Sequence, residues 1–209
     1  MLMAAGLLIA FEGIDGTGKS TQIRLLAERL VSMGCDVVTT REPTDGPCGR
    51  RIRELFVSRA SVSREEELEL FLADRRQHVD EVIEPAIAAG KIVLTDRYYL
   101  STIAYQGAAG LDPAEIRRKN DFAPKPDLVI LLILPPEESV ARIQGPRGQE
   151  LNAFEQIENL HKVAAEFDRM NEDFIRRIDA TLTVPEVHEL VVKEVRALLQ
   201  ANPVEKCGD

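Results

Sequence analysis

Hydrophobic and polar positions alternate along the 209-residue chain in a way that predicts short buried strands separated by helices. Continuous apolar runs, which are typical of strands buried on both faces, occur at residues 7–12, 36–40, 91–95 and 127–134. A fifth, shorter strand is predicted at residues 181–184. Strands that alternate with helices predict a doubly wound α/β fold, in which a five-stranded parallel sheet carries helices on both faces.

Helical periodicity fills the segments between these strands. The clearest helix begins after Ser63, which forms a capping box with Glu66, and extends to about residue 89, where Gly90 ends it. A second long helix is predicted over residues 153–178. Shorter helices are predicted after the first strand, at 50–58, near Ser101, after Asp112, at 137–143 and up to residue 199.

Composition places the chain among ordinary soluble globular proteins. It is 44% hydrophobic and 29% charged, and the absence of a repeat or linker predicts a single domain over residues 1–209. The chain has 26 Lys and Arg and 35 Asp and Glu, which gives a net charge of −9. We therefore expect no nucleic-acid partner, because affinity for a phosphate backbone comes from an excess of Lys and Arg. The apolar start is too short to span a bilayer, so no membrane partner is expected either.

The three cysteines indicate a reducing environment. Cys35, Cys48 and Cys207 are odd in number and show no CxxC spacing. We therefore expect neither a disulfide framework nor a zinc site, and the sequence predicts a cytoplasmic protein.

A phosphate-binding loop follows the first predicted strand. Residues 13–20 read GIDGTGKS, which matches G-x-x-x-x-G-K-[ST] in full between a strand and a helix. In such a loop backbone N–H groups surround an anion, the lysine neutralises the β- and γ-phosphates, and the hydroxyl binds Mg²⁺. The ATP-binding residues predicted here are Gly13, Asp15, Gly16, Thr17, Gly18, Lys19, Ser20 and Thr21. No N-K-x-D guanine motif is present.

Charged residues follow the second and third strands as well. Arg41 and Arg97 project onto the edge of the sheet where the phosphate loop lies. Their guanidinium groups suit a second phosphate, although surface ion pairs are the alternative. Asp15 lies inside the loop, where it either faces solvent or accepts a hydrogen bond from a hydroxyl of a second substrate.

Arg75 is the most informative anomaly of the long helix. It lies on the apolar face, between Leu72 and Val79 and one turn after Phe71. A buried guanidinium needs a partner, since an unpaired buried charge costs several kcal/mol. The pair Phe71 and Arg75 suits a nucleobase, stacked on the ring and hydrogen-bonded to the guanidinium. The alternative is that Phe71 is ordinary core and Arg75 bonds a local carboxylate.

These motifs resemble the thymidylate kinase family over almost the whole chain. The matching stretches read FEGIDGTGKST, TREP, ELFLADRRQH, TDRYYLSTIAYQG and PDLVILL. The resemblance implies transfer of the γ-phosphate of ATP to thymidine monophosphate, with Mg²⁺, in a homodimer that serves dTTP synthesis. Two alternatives stay open: another deoxynucleotide or nucleoside kinase, and a nucleotide-binding paralogue with a regulatory role.

The resemblance also implies a role for each matching residue. Asp15 would meet the sugar 3′-hydroxyl, Phe71 would stack on thymine, and Arg75 would bond its O4. Arg41 and Arg97 would hold the acceptor phosphate. The remaining positions are Ser101 and Thr102 along the base and phosphate, Tyr105 where a ribose 2′-hydroxyl would otherwise lie, Gln106 in support of Tyr105, and Asp96 in the outer shell of Mg²⁺.

The lid after the fourth strand departs from the family pattern. The family has an arginine-rich lid, here at about residues 143–154, but Asn152 and Ala153 replace the expected Asp-Arg pair. We therefore expect Arg147, with Lys19, to stabilise the transferring phosphoryl group, while Arg97 positions the attacking phosphate. Arg142 is expected to lie over the adenine ring, facing the loop that contains Ala180.

Overall fold

The computed structural model describes residues 6–57, 62–145, 156–204 and Cys207. Within these ranges the chain forms one sheet of five parallel strands in the order β2-β3-β1-β4-β5. The predicted doubly wound α/β fold is confirmed. The strands are β1 (Leu7–Glu12), β2 (Val37–Arg41), β3 (Ile92–Asp96), β4 (Leu128–Ile133) and β5 (Ile175–Asp179).

Helices flank the sheet at the positions that the periodicity predicts, with shifts of a few residues. The capping box of Ser63 and Glu66 is present, and the helix after it widens into one π-helical turn at Val79–Ile83 before it continues. The helices in the described residues are α1 (Lys19–Ser32), α2 (Pro47–Val57), α3 (Arg64–His78), α4 (Glu84–Ala88), α5 (Tyr99–Ala108), α6 (Pro113–Lys119), α7 (Pro136–Gln144), α8 (Ile157–Asp168) and α9 (Val184–Ala201).

Two hydrophobic cores lie on opposite faces of the sheet. Every residue of β1 is buried, and its side chains alternate between the two cores as the strand period requires. Leu8 and Ala10 pack in the core that includes residues of α3, α5 and α8. Ile9 and Phe11 pack in the core that includes residues of α1 and α9. Burial on both faces explains why β1 reads as a continuous apolar run.

The prediction for the fifth strand was wrong. Residues 181–183 form the turn before α9, which begins at Val184 and whose capping box joins Thr183 to Glu186. The strand is Ile175–Asp179, inside the segment predicted as helix, and α8 ends at Asp168. Phe167, Met170 and Phe174 recur at helical spacing, so local periodicity favoured a helix. Hydrogen bonding to β4 outweighs that preference, which is a tertiary effect.

The expectation of unpaired cysteines was also wrong. Cys35 and Cys207 form a disulfide between residues 172 positions apart in sequence, whose Cα atoms lie 4.3 Å apart. A pairing over such a separation leaves no local spacing signal, which is why the sequence did not reveal it. Cys48 is free. None of the described helices combines the length and apolar character needed to cross a bilayer.

Candidate active site

The loop between β1 and α1 has the backbone conformation that its glycines predict. Gly13, Gly16 and Gly18 have φ angles of 130°, 75° and 93°, values that side chains with a Cβ rarely adopt. A Cβ at Gly13 would also collide with the carbonyl oxygen of Leu132. Helix α1 begins at Lys19, so its unpaired N–H groups and positive end face the loop.

Lys19 is folded back into the loop. Its Nζ donates hydrogen bonds to the carbonyl oxygens of Gly13 at 3.1 Å and Ile14 at 2.8 Å. Burial is the main reason that the pKa of Lys19 falls to about 8, and repulsion from Arg97 adds to it. An anion in the loop would restore the charge that burial disfavours.

Ser20 and Asp96 bring two oxygen ligands together at the start of α1. The Ser20 hydroxyl donates to Asp96 Oδ2 at 2.5 Å, and Ser20 is exposed. A hydroxyl beside a carboxylate suits Mg²⁺, which keeps several waters and needs few protein ligands. The described residues contain no group of three or more His, Cys, Asp or Glu side chains that could hold a metal ion.

A cavity beside the loop collects most of the residues predicted to bind the second substrate. Its lining includes four residues that the sequence did not single out as ligands, namely Glu42, Pro43, Phe56 and Tyr98. The predicted residues that line it are Asp15, Phe71, Arg75, Arg97, Ser101, Thr102, Tyr105 and Gln106. They come from the loop, α3, α5 and the segment between β3 and α5, and meet at the carboxyl ends of β1 and β3.

Asp15 and Arg97 are paired within this cavity. Arg97 Nη2 donates to Asp15 Oδ1 at 2.7 Å, and the Tyr105 hydroxyl donates to Asp15 Oδ2 at 2.8 Å. Burial alone would raise the pKa of the Asp15 carboxyl, but Arg97, Lys19 and Tyr105 outweigh it and hold the pKa below its usual value. Asp15 is therefore ionised and can accept further hydrogen bonds.

Arg97 is held in a strained backbone conformation. Its φ of 70° lies in the left-handed region, which costs a non-glycine residue roughly 1–3 kcal/mol. Its N–H donates to Phe11 O at 2.9 Å and its carbonyl accepts from Thr95 Oγ1 at 2.8 Å. The strain aims the guanidinium at the loop, where it reaches Gly13 O at 3.2 Å.

Glu12 supports the segment that follows Arg97. Its buried carboxyl accepts from the backbone N–H groups of Tyr98 at 3.0 Å and Ser101 at 3.1 Å, and from the Ser101 hydroxyl. Burial raises the pKa of Glu12 to about 7, although the hydrogen bonds of Ser101 and the charge of Arg97 lower it in part. The sequence analysis missed Glu12 because a residue at the end of a strand gives no sign of its partners.

Arg75 is buried and bonds a local carboxylate, as one of the two alternatives predicted. Its Nε and Nη2 donate to Glu42 Oε2 at 3.0 and 2.5 Å. Nη2 also donates to Thr102 Oγ1 at 2.9 Å, and Nη1 donates to Asn120 Oδ1 at 2.5 Å. A guanidinium has five N–H donors, so one Nη1 hydrogen has no acceptor among the described residues and remains for a ligand.

The amide of Gln106 is attached to α3. Its Nε2 donates to Glu67 Oε1 at 3.1 Å, and the support of Tyr105 that the family resemblance implies stays a prediction. Gln106 Oε1 is buried and has no hydrogen-bond partner in the described part of the chain. A buried acceptor that lines a cavity indicates a ligand that donates a hydrogen bond there.

Arg41 lies outside this cavity. It pairs with Asp45 at 2.8 Å, and 61% of its side chain is exposed. It lines a neighbouring open groove of about 870 Å³, together with Ser20 and Asp96. The structure therefore does not bring Arg41 to the acceptor side, although it lies next to the oxygen pair that suits a metal.

The opposite side of the loop carries part of the predicted adenine contacts. Arg142, on α7, donates to the carbonyl oxygen of Ala180 at 2.8 Å, so the two residues assigned to adenine are in contact. Most of the predicted lid, including Arg147, Asn152 and Ala153, lies outside the described residues.

Comparisons with known proteins agree with this geometry. A protein-family model described as thymidylate kinase matches residues 11–191. A thymidylate kinase of Desulfotalea psychrophila is 53% identical over 195 residues, which cover 93% of this chain and 96% of that relative. A thymidylate kinase of Xanthomonas campestris pv. campestris is 45% identical over 195 residues, which cover 91% of this chain and 85% of the relative.

Proposed function

Because the chain belongs to the thymidylate kinase family, it transfers the γ-phosphate of ATP to thymidine monophosphate, and we propose that the cavity of Asp15, Arg75 and Arg97 holds the monophosphate. The observation that carries this proposal is the pair of unused groups in the cavity. Within the described residues, Arg75 retains one N–H donor without an acceptor, and Gln106 Oε1 is a buried acceptor without a donor.

Those two groups match the hydrogen-bonding edge of thymine. O4 of thymine accepts and N3–H donates, so Arg75 would bond O4 and Gln106 Oε1 would accept from N3–H. Phe71 lines the same cavity and offers a ring for the base to stack on. Cytosine presents an amino donor and an unprotonated N3, which would leave both protein groups unpaired.

The sugar and the acceptor phosphate take the other end of the cavity. Asp15 would accept from the 3′-hydroxyl, and Tyr105, which is fixed by Asp15, would occupy the place of a 2′-hydroxyl. Arg97 would turn from Asp15 to the monophosphate, where Ser101, already bonded to Arg97 at 3.0 Å, and Thr102 line the path. Arg41 would need to leave Asp45 to reach the same phosphate.

Phosphoryl transfer requires only positioning and charge stabilisation from the protein. An oxygen of the monophosphate attacks the γ-phosphorus in line, the bond to the bridging oxygen of ATP breaks, and ADP leaves without a covalent enzyme intermediate. Lys19 and the N–H groups of residues 13–21 hold the phosphates. Ser20 would bind Mg²⁺ directly and Asp96 through water; Mg²⁺ would neutralise charge on the β- and γ-phosphates.

The remaining assignments rest on the family pattern. Arg142, with Ala180, would contact the adenine ring of ATP, and Arg147 would stabilise the transferring phosphoryl group in a lid over residues 143–154 of this single domain. Since Ala153 replaces an arginine there, Arg147→Ala should lower kcat by roughly 10²–10³. We further propose a cytoplasmic homodimer that binds neither nucleic acid nor membrane. The two alternative functions are not favoured by the comparisons.

An assay with a panel of acceptors tests the proposal. With ATP and Mg²⁺, we expect thymidine monophosphate to be phosphorylated with the highest kcat/KM, deoxyuridine monophosphate to follow, and deoxycytidine, adenosine and guanosine monophosphates to react at least about 100-fold more slowly. A higher kcat/KM for any cytosine or purine acceptor would assign the cavity to a different base.

A further inference from the structure

Three buried polar residues of α3 hold the segment that follows β2. Asp74, Arg75 and His78 are each at most 2% exposed, and each bonds a residue between Thr40 and Thr44. Asp74 accepts from the Thr44 N–H at 2.8 Å and from its hydroxyl at 2.6 Å. The segment is therefore attached to α3 at several points, and not only through Arg75.

His78 belongs to a chain of hydrogen bonds that runs from Thr40 through His78 and Glu42 to Arg75. His78 Nδ1 lies 3.0 Å from Glu42 Oε1, and His78 Nε2 lies 2.7 Å from Thr40 Oγ1. Glu42 is ionised, because Arg75 and His78 outweigh burial and hold its pKa below the usual value. An ionised carboxylate can only accept, so the proton is on Nδ1.

The rest of the chain of hydrogen bonds follows from that tautomer. Since the proton is on Nδ1, Nε2 can accept a hydrogen bond from the Thr40 hydroxyl. Every polar atom of His78 is thus used by a named partner.

The two oxygens of Glu42 are divided between two residues. His78 takes Oε1, whereas Oε2 accepts from both Nε and Nη2 of Arg75. This division fixes the rotation of the carboxylate, and the planar guanidinium must follow it. Thr102 and Asn120 each accept a further hydrogen bond from Arg75. The guanidinium is therefore held in one orientation, and its remaining Nη1 hydrogen, which has no acceptor among the described residues, has a fixed direction.

We propose that His78 is a positioning residue for base recognition: it locks the Glu42 carboxylate so that Arg75 presents its one free N–H to a keto oxygen of the acceptor base. This inference rests on the proposed role of Arg75. Without the bond from His78, Glu42 Oε1 is free to rotate and to accept from an amino group. Loss of His78 should therefore weaken thymine binding and relax discrimination against cytosine.

Two amide substitutions test the two ring nitrogens of His78 separately. In His78→Asn the amide nitrogen takes the place of Nδ1 and can still donate to Glu42, whereas in His78→Gln it takes the place of Nε2. His161→Gln is the matched control, because His161 is exposed and pairs with Glu137. KM values for thymidine monophosphate and ATP, kcat, and kcat/KM for deoxycytidine monophosphate are measured for each variant.

We expect His78→Gln to raise KM for thymidine monophosphate about tenfold, with kcat and KM for ATP within about twofold of wild type. The preference for thymidine over deoxycytidine monophosphate should fall about tenfold. In His78→Asn both the KM for thymidine monophosphate and this preference should return most of the way to the wild-type values. The control should match wild type. If His78→Gln does not fold, His78→Phe is compared with His78→Asn instead. Thr40→Val removes the hydrogen bond between Thr40 and His78 and should raise KM for thymidine monophosphate by a smaller factor.

Two results would overturn the proposal. One is an unchanged KM for thymidine monophosphate in folded His78→Gln and His78→Phe. The other is an equal loss in kcat and both KM values that His78→Asn does not rescue, since that pattern describes a merely structural histidine. Arg75→Lys, measured in parallel, separates this failure from the failure of the proposed function. If Arg75→Lys lowers affinity for the monophosphate and the His78 variants do not, only the role of His78 is wrong.

Discussion

Asp15 and Arg97 form an ion pair of 2.7 Å, although they are assigned to different parts of the acceptor nucleotide, the sugar and the phosphate. Each therefore neutralises the other until a monophosphate arrives. Binding of the nucleotide would give Arg97 a phosphate and Asp15 a sugar hydroxyl. The pair keeps both side chains ordered in the cavity, which lowers the entropy that binding costs.

Asp15→Asn should weaken recognition of the 3′-hydroxyl specifically. In the wild type we expect 2′,3′-dideoxythymidine monophosphate to bind about tenfold more weakly than thymidine monophosphate, because a hydrogen bond to a charged acceptor is lost. In Asp15→Asn that ratio should fall towards one, while the affinity for ATP stays within about threefold. Calorimetric titration of both ligands gives the ratio. An unchanged ratio in the variant would place the 3′-hydroxyl elsewhere.

Lys19→Ala should remove most of the catalysis without unfolding the protein. In the proposed site the ammonium group would meet charge on the β- and γ-phosphates, so we expect kcat to fall by roughly 10²–10⁴. The control is Lys193→Ala, at an exposed position of α9, which should behave as wild type. Steady-state kinetics with a melting curve for each variant checks this. Near-normal turnover in folded Lys19→Ala would contradict the assignment of the loop.

Arg75→Ala should lower affinity for thymidine monophosphate and spare affinity for ATP. Loss of a charged hydrogen bond to O4 should cost roughly 1.5–3 kcal/mol of acceptor binding. Arg76→Ala is the matched control, since Arg76 is the next residue of α3 and lies over the Phe122 ring at 3.7 Å. Calorimetry on both variants separates the two sites. Equal losses for the two nucleotides, or a lower melting temperature alone, would make Arg75 a structural residue.

Glu12 should make the protein less stable as the pH rises from 5 to 8. Burial raises the pKa of Glu12 from 4.5 to about 7, so the folded state binds more protons than the unfolded state in this range. The stability that the protonated carboxyl provides is complete below pH 4.5 and is lost as the pH rises through 7.

Glu12→Gln isolates that contribution, because the amide does not titrate. Between pH 5 and 8 the free energy of unfolding of the wild type should fall relative to that of Glu12→Gln by about 2–3 kcal/mol. Urea denaturation of both proteins at the two pH values gives the difference. A constant difference between them would show that Glu12 is already ionised at pH 5.

The sheet and the phosphate loop could be predicted because their signals are local. The continuous apolar run of β1, the glycines of the loop and the capping box at Ser63 each report the conformation of their own residues. The strand Ile175–Asp179 could not be predicted in the same way. Its Ile175 and Ile178, with Phe174 just before the strand, fit a helical period, and only hydrogen bonding with β4 makes this segment a strand.

The same distinction between local signals and long-range contacts applies to the residues of the candidate site. Arg75 and Phe71 could be singled out because an arginine on an apolar helix face is a local contradiction. The partners of Arg75 could not, since Glu42 and Asn120 reach it through contacts between distant segments, and the same holds for Glu67, which accepts from Gln106. Arg41 was predicted from its place after a strand, but its pairing with Asp45 directs it to the neighbouring groove.

The most direct test compares wild-type binding of thymidine monophosphate with that of 5-methyl-deoxycytidine monophosphate. The two ligands share the sugar, the phosphate and the methyl group, and they differ only at position 4 and N3. Since Arg75 would lose its acceptor and Gln106 Oε1 its donor, we expect the cytosine ligand to bind at least about 100-fold more weakly. Affinities within threefold of each other would contradict the assignment of this cavity to thymine.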